Sequence, residues 1–337
     1  VSKMVLEKDY PYMYARVSAK KKKLLGRNDY ESLWKMEPNG IARKLEEGAY
    51  KQDINELGSE HDGVDLVELG LVRNLSRTMS HLAEISPDSL KPVISTYLRR
   101  YDILSFKRLL RWKKGGGEND IDSFLIPVGE YSFEDFKELS KLSFEEICDA
   151  IEFPEASVDY QSVIDPEADL REIERELDRQ YYRELKNVSK TIGSQWFNKF
   201  VDQELEYENL KIALRLKKYG LEQDEIREWL VTDEFTDTLE GIIEAKDLDE
   251  AIQLVIDSGK AENVSGDQSL EDIEHSLEVA RLNRALRNLH IEPLGATSIL
   301  GYIIAKITEV KNLRMLIRAK ETGIQNMETI KRNLVIK

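Results

Sequence analysis

The chain has 337 residues, room for two or three domains at roughly 150 residues each, and a formal net charge of −15 at pH 7. That charge argues against a nucleic-acid binder with a basic surface and against broad adhesion to anionic lipid. A single cysteine, Cys148, excludes an internal disulfide and fits a reduced, cytosolic compartment.

No apolar run approaches the roughly 18 residues needed to span a bilayer. The longest, near Ala296–Ile307, is broken by Gly301 and by Lys306. The first residues hold no signal-peptide apolar region. The expectation is a soluble chain that meets a membrane only through another protein.

Tyr10–Leu25 reads as a helix that ends in the run Lys20–Lys23. That run is either a solvated helix face or a contact to an acidic partner or lipid. Short helices at Tyr30–Met36 and Ile41–Gly48 follow, the first stopped by Pro38 and Gly40. After a loop at Gly58–Gly63, a long helix starts at Asp65, with Leu66, Leu69, Val72 and Leu75 at helical spacing. Asp169 and Asp272 occupy comparable places further on. Asp65 with Glu68, and Asp169 with Glu172, have helix-start chemistry. The third copy carries His275 instead, and Ser269 followed by Asp272 is its better cap. Ser86-Pro87, Gly193, and Pro293 with Gly295 break the three long helices. In each case the chain returns along a second long helix. Ser157–Ile164 and Thr232–Phe235 read as loops, Gly115–Gly117 as a flexible joint, and no strand pattern is present.

The returning helix is one unit used three times. With Asp102, Glu206 and Glu309 as anchors (206 − 102 = 104 and 309 − 206 = 103 residues apart), the columns match. Three places on are Ser105, Asn209 and Asn312; four on, Phe106, Leu210 and Leu313. Eleven on are Lys113, Lys217 and Lys320. Fourteen on, Gly116, Gly220 and Gly323 supply the helix stop. Positions one, four and eight form an apolar stripe: Ile103, Phe106, Leu110; Tyr207, Leu210, Leu214; Val310, Leu313, Ile317. The expected fold is all-α, with three pseudo-symmetric helical-hairpin modules at 1–120, 121–228 and 229–337.

Positions five and nine are basic throughout: Lys107 and Arg111, Lys211 and Arg215, Arg314 and Arg318. Like charges four apart on a helix repel by a few tenths of a kcal/mol, so acids must compensate. Those acids belong either to a neighbouring helix of the same module or to a shared binding partner. These six cations are the candidate partner-binding residues. No catalytic, cofactor-binding or metal residue is recognisable. There is no GxxxxGK[ST] phosphate loop. His61, His81, His275 and His290 form no metal motif, and one cysteine makes a zinc site improbable. The acid clusters Asp120/Asp122, Glu145/Glu146 and Asp247/Asp249/Glu250 fit helix starts or solvated faces.

Lys306, Glu309, Asn312, Leu313 and Arg314 form a K-x-x-E-[VI]-x-N-[LI]-R signature. The start matches Y-x-x-A-R-V…L-L through Tyr12, Ala15, Arg16, Val17, Leu24 and Leu25, followed by Tyr30 and Leu33. With these motifs the chain resembles the C subunit of archaeal-type (A-type/V-type) ATP synthases, a family that includes the d subunit of eukaryotic vacuolar ATPases. The resemblance implies a funnel of three modules and a non-catalytic socket at the cytoplasmic face of the membrane. It implies the central shaft, subunits D and F, and the membrane rotor ring (c/K subunits) as partners. It also implies torque transfer during ATP synthesis or ATP-driven H+ or Na+ transport. The residues themselves leave two other readings: a stand-alone helical-repeat adaptor for a peptide or protein, and an all-α metal-dependent enzyme built on the Asp247 cluster.

Overall fold

The computed structural model describes residues 9–117, 121, 125–262, 264, 268–291, 295–323 and 327–336. Every regular element among them is helical. Four short helices open the chain: α1 (Asp9–Lys21), α2 (Arg27–Leu33), α3 (Pro38–Glu46) and α4 (Lys51–Leu57). The long α5 (Gly63–Glu84) and α6 (Lys91–Lys114) follow. Short α7 (Phe133–Leu139) and α8 (Phe144–Asp149) lead to the long α9 (Leu170–Ile192) and α10 (Gln195–Lys218). Then come α11 (Gln223–Trp229), α12 (Asp237–Glu244), α13 (Leu248–Asp257), α14 (Leu270–Ile291), α15 (Ala296–Glu321) and α16 (Met327–Asn333). No helix among the described residues is long and apolar enough to cross a membrane.

Helix starts correct several expectations. Pro38 opens α3 rather than only ending the helix before it; its missing N–H is one the first turn would leave unpaired anyway. Asp65 is not a cap, because α5 begins at Gly63 after Asp62. Asp169 does cap α9, accepting from the Arg171 N–H at 3.0 Å. Ser269 caps α14, its hydroxyl accepting from the Asp272 N–H at 3.2 Å while Asp272 accepts from the Ser269 N–H. The matched aspartates at 65, 169 and 272 are therefore not equivalent positions. Gly193 and the capping residue Ser194 turn α9 into α10. Gly295 precedes α15, while Pro293 and the pair Asp120/Asp122 lie outside the described residues.

The chain forms two compact units, one of 1–87 with 278–337 and one of 88–277. In the first, α15 packs on α5, α1 and α3. It is buried on all sides from Ala296 to Val310, which explains a run without a polar face. In the second, α6 and α10 both pack on α9, and α10 also meets α12 and α13. The three stripes are core: Phe106, Leu210 and Leu313, with their partners one and eight places along, are all buried.

The other repeated columns pin each anchor helix to a different stretch of chain. Ser105 accepts from the Ile126 N–H at 3.4 Å, and Asn209 from the Val231 N–H at 2.9 Å. Asn312 accepts from the Val335 N–H and donates to its carbonyl. Lys113, Lys217 and Lys320 donate to the carbonyls of Ser140, Ala245 and Trp34 at 3.0, 2.6 and 3.0 Å. Each of those carbonyls ends a short helix: α7, α12 and α2. Gly116, Gly220 and Gly323 take φ of 96°, 73° and 65°. An added Cβ there would meet nothing, so the demand for glycine is the left-handed backbone alone.

Phe106 lies edge-on to Tyr131, Phe136 and Phe153. Phe106→Ala should cost about 3–5 kcal/mol, and Gly220→Ala about 1 kcal/mol. Urea unfolding followed by circular dichroism checks both; equal losses would contradict the assignment of core and cap.

Candidate functional site

The six candidate cations are placed by the geometry of the anchor helices. Five and nine positions beyond the anchor fall on one flank of the buried stripe, and the anchor acid points the other way. In each copy the outer arginine forms a two-point ion pair with a glutamate on a different long helix. Arg111 Nε lies 2.5 Å from Glu174 on α9, and its Nη2 reaches the other oxygen. Arg215 meets Glu274 on α14 at 2.5 and 2.9 Å. Arg318 meets Glu68 on α5 at 2.5 and 3.2 Å. The planar guanidinium fork matches a carboxylate in this way, which lysine cannot.

The inner cations are placed deeper. Lys107 Nζ sits 2.5 Å from Asp178, Lys211 lies 3.8 Å from Glu208 on its own helix, and Arg314 lies 3.9 Å from Glu68. Their side chains are 13, 18 and 11% exposed, against 57, 53 and 40% for Arg111, Arg215 and Arg318. Of the six, only the three arginines of the outer position present an edge to solvent. Burial pushes Arg314 below its usual range, while the Glu174, Glu274 and Glu68 hydrogen bonds raise the three outer arginines.

The acids that compensate the outer arginines thus come from a long helix of another repeat, not of the same one. A reading that aligns the first long helices on Asp65, Asp169 and Asp272 misses them. The register that pairs with the arginines runs through Val67-Glu68, Ile173-Glu174 and Ile273-Glu274. Each pair is followed by a leucine: Leu71, Leu177 and Leu277. A buried β-branched residue followed by glutamate is the signal that finds them.

The anchor acids serve the fold. Glu309 accepts from the Leu25 N–H at 2.5 Å, the Tyr50 hydroxyl at 2.6 Å and Lys306 Nζ at 2.9 Å. Glu206 accepts from the Thr236 hydroxyl at 2.7 Å and pairs with Lys260 at 3.0 Å. Asp102 accepts from the Glu130 N–H at 2.7 Å. A Cβ at Gly129 would stand 2.0 Å from that carboxylate, so the close approach requires glycine. The Asp247 cluster is a helix start: Asp247 accepts from the Glu250 N–H, and Glu250 from the Lys246 N–H. Among the described residues no His, Cys, Asp and Glu group is arranged to hold a metal.

A family model described as ATP synthase (C/AC39) subunit matches residues 13–332. The chain is 35% identical to the C subunit of the A-type ATP synthase of Methanococcoides burtonii, covering 97% of this chain and 94% of that one. It is 34% identical to the protein of the same name from Methanosarcina barkeri, over 97% and 93%. With that of Haloquadratum walsbyi it shares 30%, over 94% and 96%.

Burial raises the Asp102 carboxyl to about 7, with the Glu130 carboxylate adding to the rise and the Glu130 N–H opposing it. Its second oxygen has no hydrogen-bond partner among the described residues, so the protonated form suits the site. Between the unfolded value near 3.8 and about 7, the folded chain holds a proton that the unfolded chain lacks. The stability from protonated Asp102 is full below the unfolded value and is lost as pH rises through about 7. The loss over that whole window is on the order of 4 kcal/mol. Asp102→Asn should remove this part of the decline between pH 5 and pH 8. Parallel urea titrations at both pH values measure it, and an unchanged slope in the variant would contradict it.

Proposed function

The chain belongs to the ATP synthase (C/AC39) subunit family, and on that footing we propose that it is a non-catalytic central-stalk subunit of a rotary A/V-type ATPase. In this reading it is a socket between the central shaft, subunits D and F, and the membrane rotor ring of c/K subunits. It passes torque between the soluble and membrane sectors during ATP synthesis or ATP-driven H+ or Na+ transport. It sits peripherally at the cytoplasmic face of the membrane. The three-module division and the funnel belong to the same proposal.

The observation that carries this reading is the relationship, along nearly the whole chain, to the C subunits of A-type ATP synthases. The geometry lends mechanical support. A torque-bearing part must resist sliding of one helix past another. Each anchor helix is held by an apolar stripe, a polar clamp on backbone, a lysine on a helix end and an arginine–glutamate pair. Removing the chain from cells should leave ATP hydrolysis unable to drive ion transport in membrane vesicles. Vesicles that still pump normally without it would overturn the reading.

The exposed edges of Arg111, Arg215 and Arg318 are the proposed contact to acidic residues of the shaft. Simple charge reversal would also break internal pairs. Exchanging the partners, Arg111→Glu with Glu174→Arg and likewise for the other two pairs, keeps the pair and reverses the outward charge. The expected result is an intact fold with weakened capture of the D–F shaft, about tenfold per buried charge contact. Wild-type capture by the folded triple exchange would confine these arginines to internal packing.

A further inference from the structure

The unit of residues 1–87 and 278–337 contains a cavity of about 430 Å³. Lys20, Lys23, Arg77, His81 and Lys306 line it, and exposed Glu84 is the only acid among its described lining residues. Arg77 is engaged with Asp53 at 2.6 Å, Lys306 with Glu309 at 2.9 Å, and the His81 ring lies 3.7 Å from Glu84. Lys20 and Lys23 form no side-chain ion pair among the described residues. Burial, then Arg16, Lys306, Lys23 and Arg77, push the Lys20 ammonium below its usual range. Every charged neighbour in that set is a cation.

The internal repeat shows what is missing. The register that places Glu68 on Glu174 and Arg318 on Arg111 also places Thr78 on Glu184 and Lys306 on Arg99. In the unit of 88–277, Arg99 is fully buried against Glu184 and Glu130. Thr78, a lining residue of the cavity, stands where the repeat has the Glu184 carboxylate. One copy closes its cation with two acids; the other keeps only Glu309 beside Lys306 and leaves an opening edged by ammonium groups, a guanidinium and hydroxyls. Such donors suit tetrahedral oxyanions. In a chain of net charge −15, a cluster of this kind is not a sample of the average surface.

We propose that this cavity binds a phosphate-bearing anion, its oxygens taking the place that the Glu184 carboxylate fills in the other unit. The phosphate belongs either to a soluble compound or to a phospholipid headgroup. This stands apart from the coupling role and does not depend on it.

The test uses the full chain at fixed ionic strength in two arms. Calorimetry with inorganic pyrophosphate reads the soluble source. Co-sedimentation with phosphatidylcholine vesicles, with and without phosphatidylinositol 4-phosphate, reads the headgroup. Saturable one-to-one binding in either arm is expected, weakened about tenfold by Lys20→Gln and by Lys23→Gln. Lys22→Gln, on the same run but outside the cavity lining, should bind as the unaltered chain does. Pyrophosphate binding alone identifies a soluble ligand; headgroup-dependent sedimentation alone identifies a lipid. The proposal is overturned by no saturable binding in either arm, or by equal weakening in all three variants. It is equally overturned if only an oligoglutamate peptide binds, which would assign the cavity to an acidic protein segment.

Discussion

The carboxylate of Glu309 is the constraint on which the unit of 1–87 and 278–337 depends. It joins backbone before α2, the hydroxyl that precedes α4 and the ammonium of its own helix. Lys306 Nζ also lies 3.9 Å above the Tyr50 ring centroid. Taking two charges out of water costs several kcal/mol each. That cost is offset only when nearly every donor and lone pair is matched, and here they are matched by groups far apart in the chain. Burial and the neighbouring Glu309 charge hold the Tyr50 hydroxyl protonated, well above its usual range. The early short helices and the late anchor helix therefore order together or not at all. Lys320 reinforces this by gripping the last carbonyl of α2, as Lys113 and Lys217 grip α7 and α12. In two copies the gripped helix comes after the anchor helix in the chain; in the third, the chain's own beginning supplies it.

The arginine–glutamate pairs answer the puzzle of two like charges side by side. Lys107 and Arg111 repel each other weakly on α6, but α9 brings Asp178 and Glu174 to them in turn. Exposed pairs of this kind contribute about 0–1 kcal/mol each, far less than the buried stripe beside them. Their value lies in register. A helix that slipped by one residue against its neighbour would lose a two-point contact and strand a half-buried glutamate. Stripe, clamp and pair set the same alignment, and agreement across levels is what makes one structure preferred.

The all-helical class, the three anchor helices, their apolar stripes and their glycine stops are all legible in the sequence. Each rests on local rules: periodicity for Phe106, Leu210 and Leu313, and a left-handed stop for Gly116, Gly220 and Gly323. Partners across the chain are not legible. Sequence spacing says that Arg111 needs an acid, not that the acid is Glu174 rather than one nearer by. The misplaced register of the first long helices comes from trusting aspartates. Aspartate at a helix start is chosen by local capping, which tolerates a shift of a turn, as Asp62 and Asp65 show. Residues that pair across helices tolerate none, and Glu68, Glu174 and Glu274 keep the true register.

Residues that mark the family are distinct from those free to act. Lys306, Glu309, Asn312 and Arg314 carry the signature by which the chain resembles its relatives, yet each is spent inside the fold. Differences among the three copies are the better guide to surfaces open to a ligand. Where Arg99 is closed by Glu184, the repeat has finished its own chemistry. Where Lys306 is paired with Glu309 but faces Thr78 and an open cavity, the same scaffold has gathered further cations without a counterpart of the Glu184 carboxylate. A repeat that is symmetric in its core and asymmetric at one charged cavity sets that cavity apart from the outer arginines, which all three copies share and pair with a glutamate in the same way.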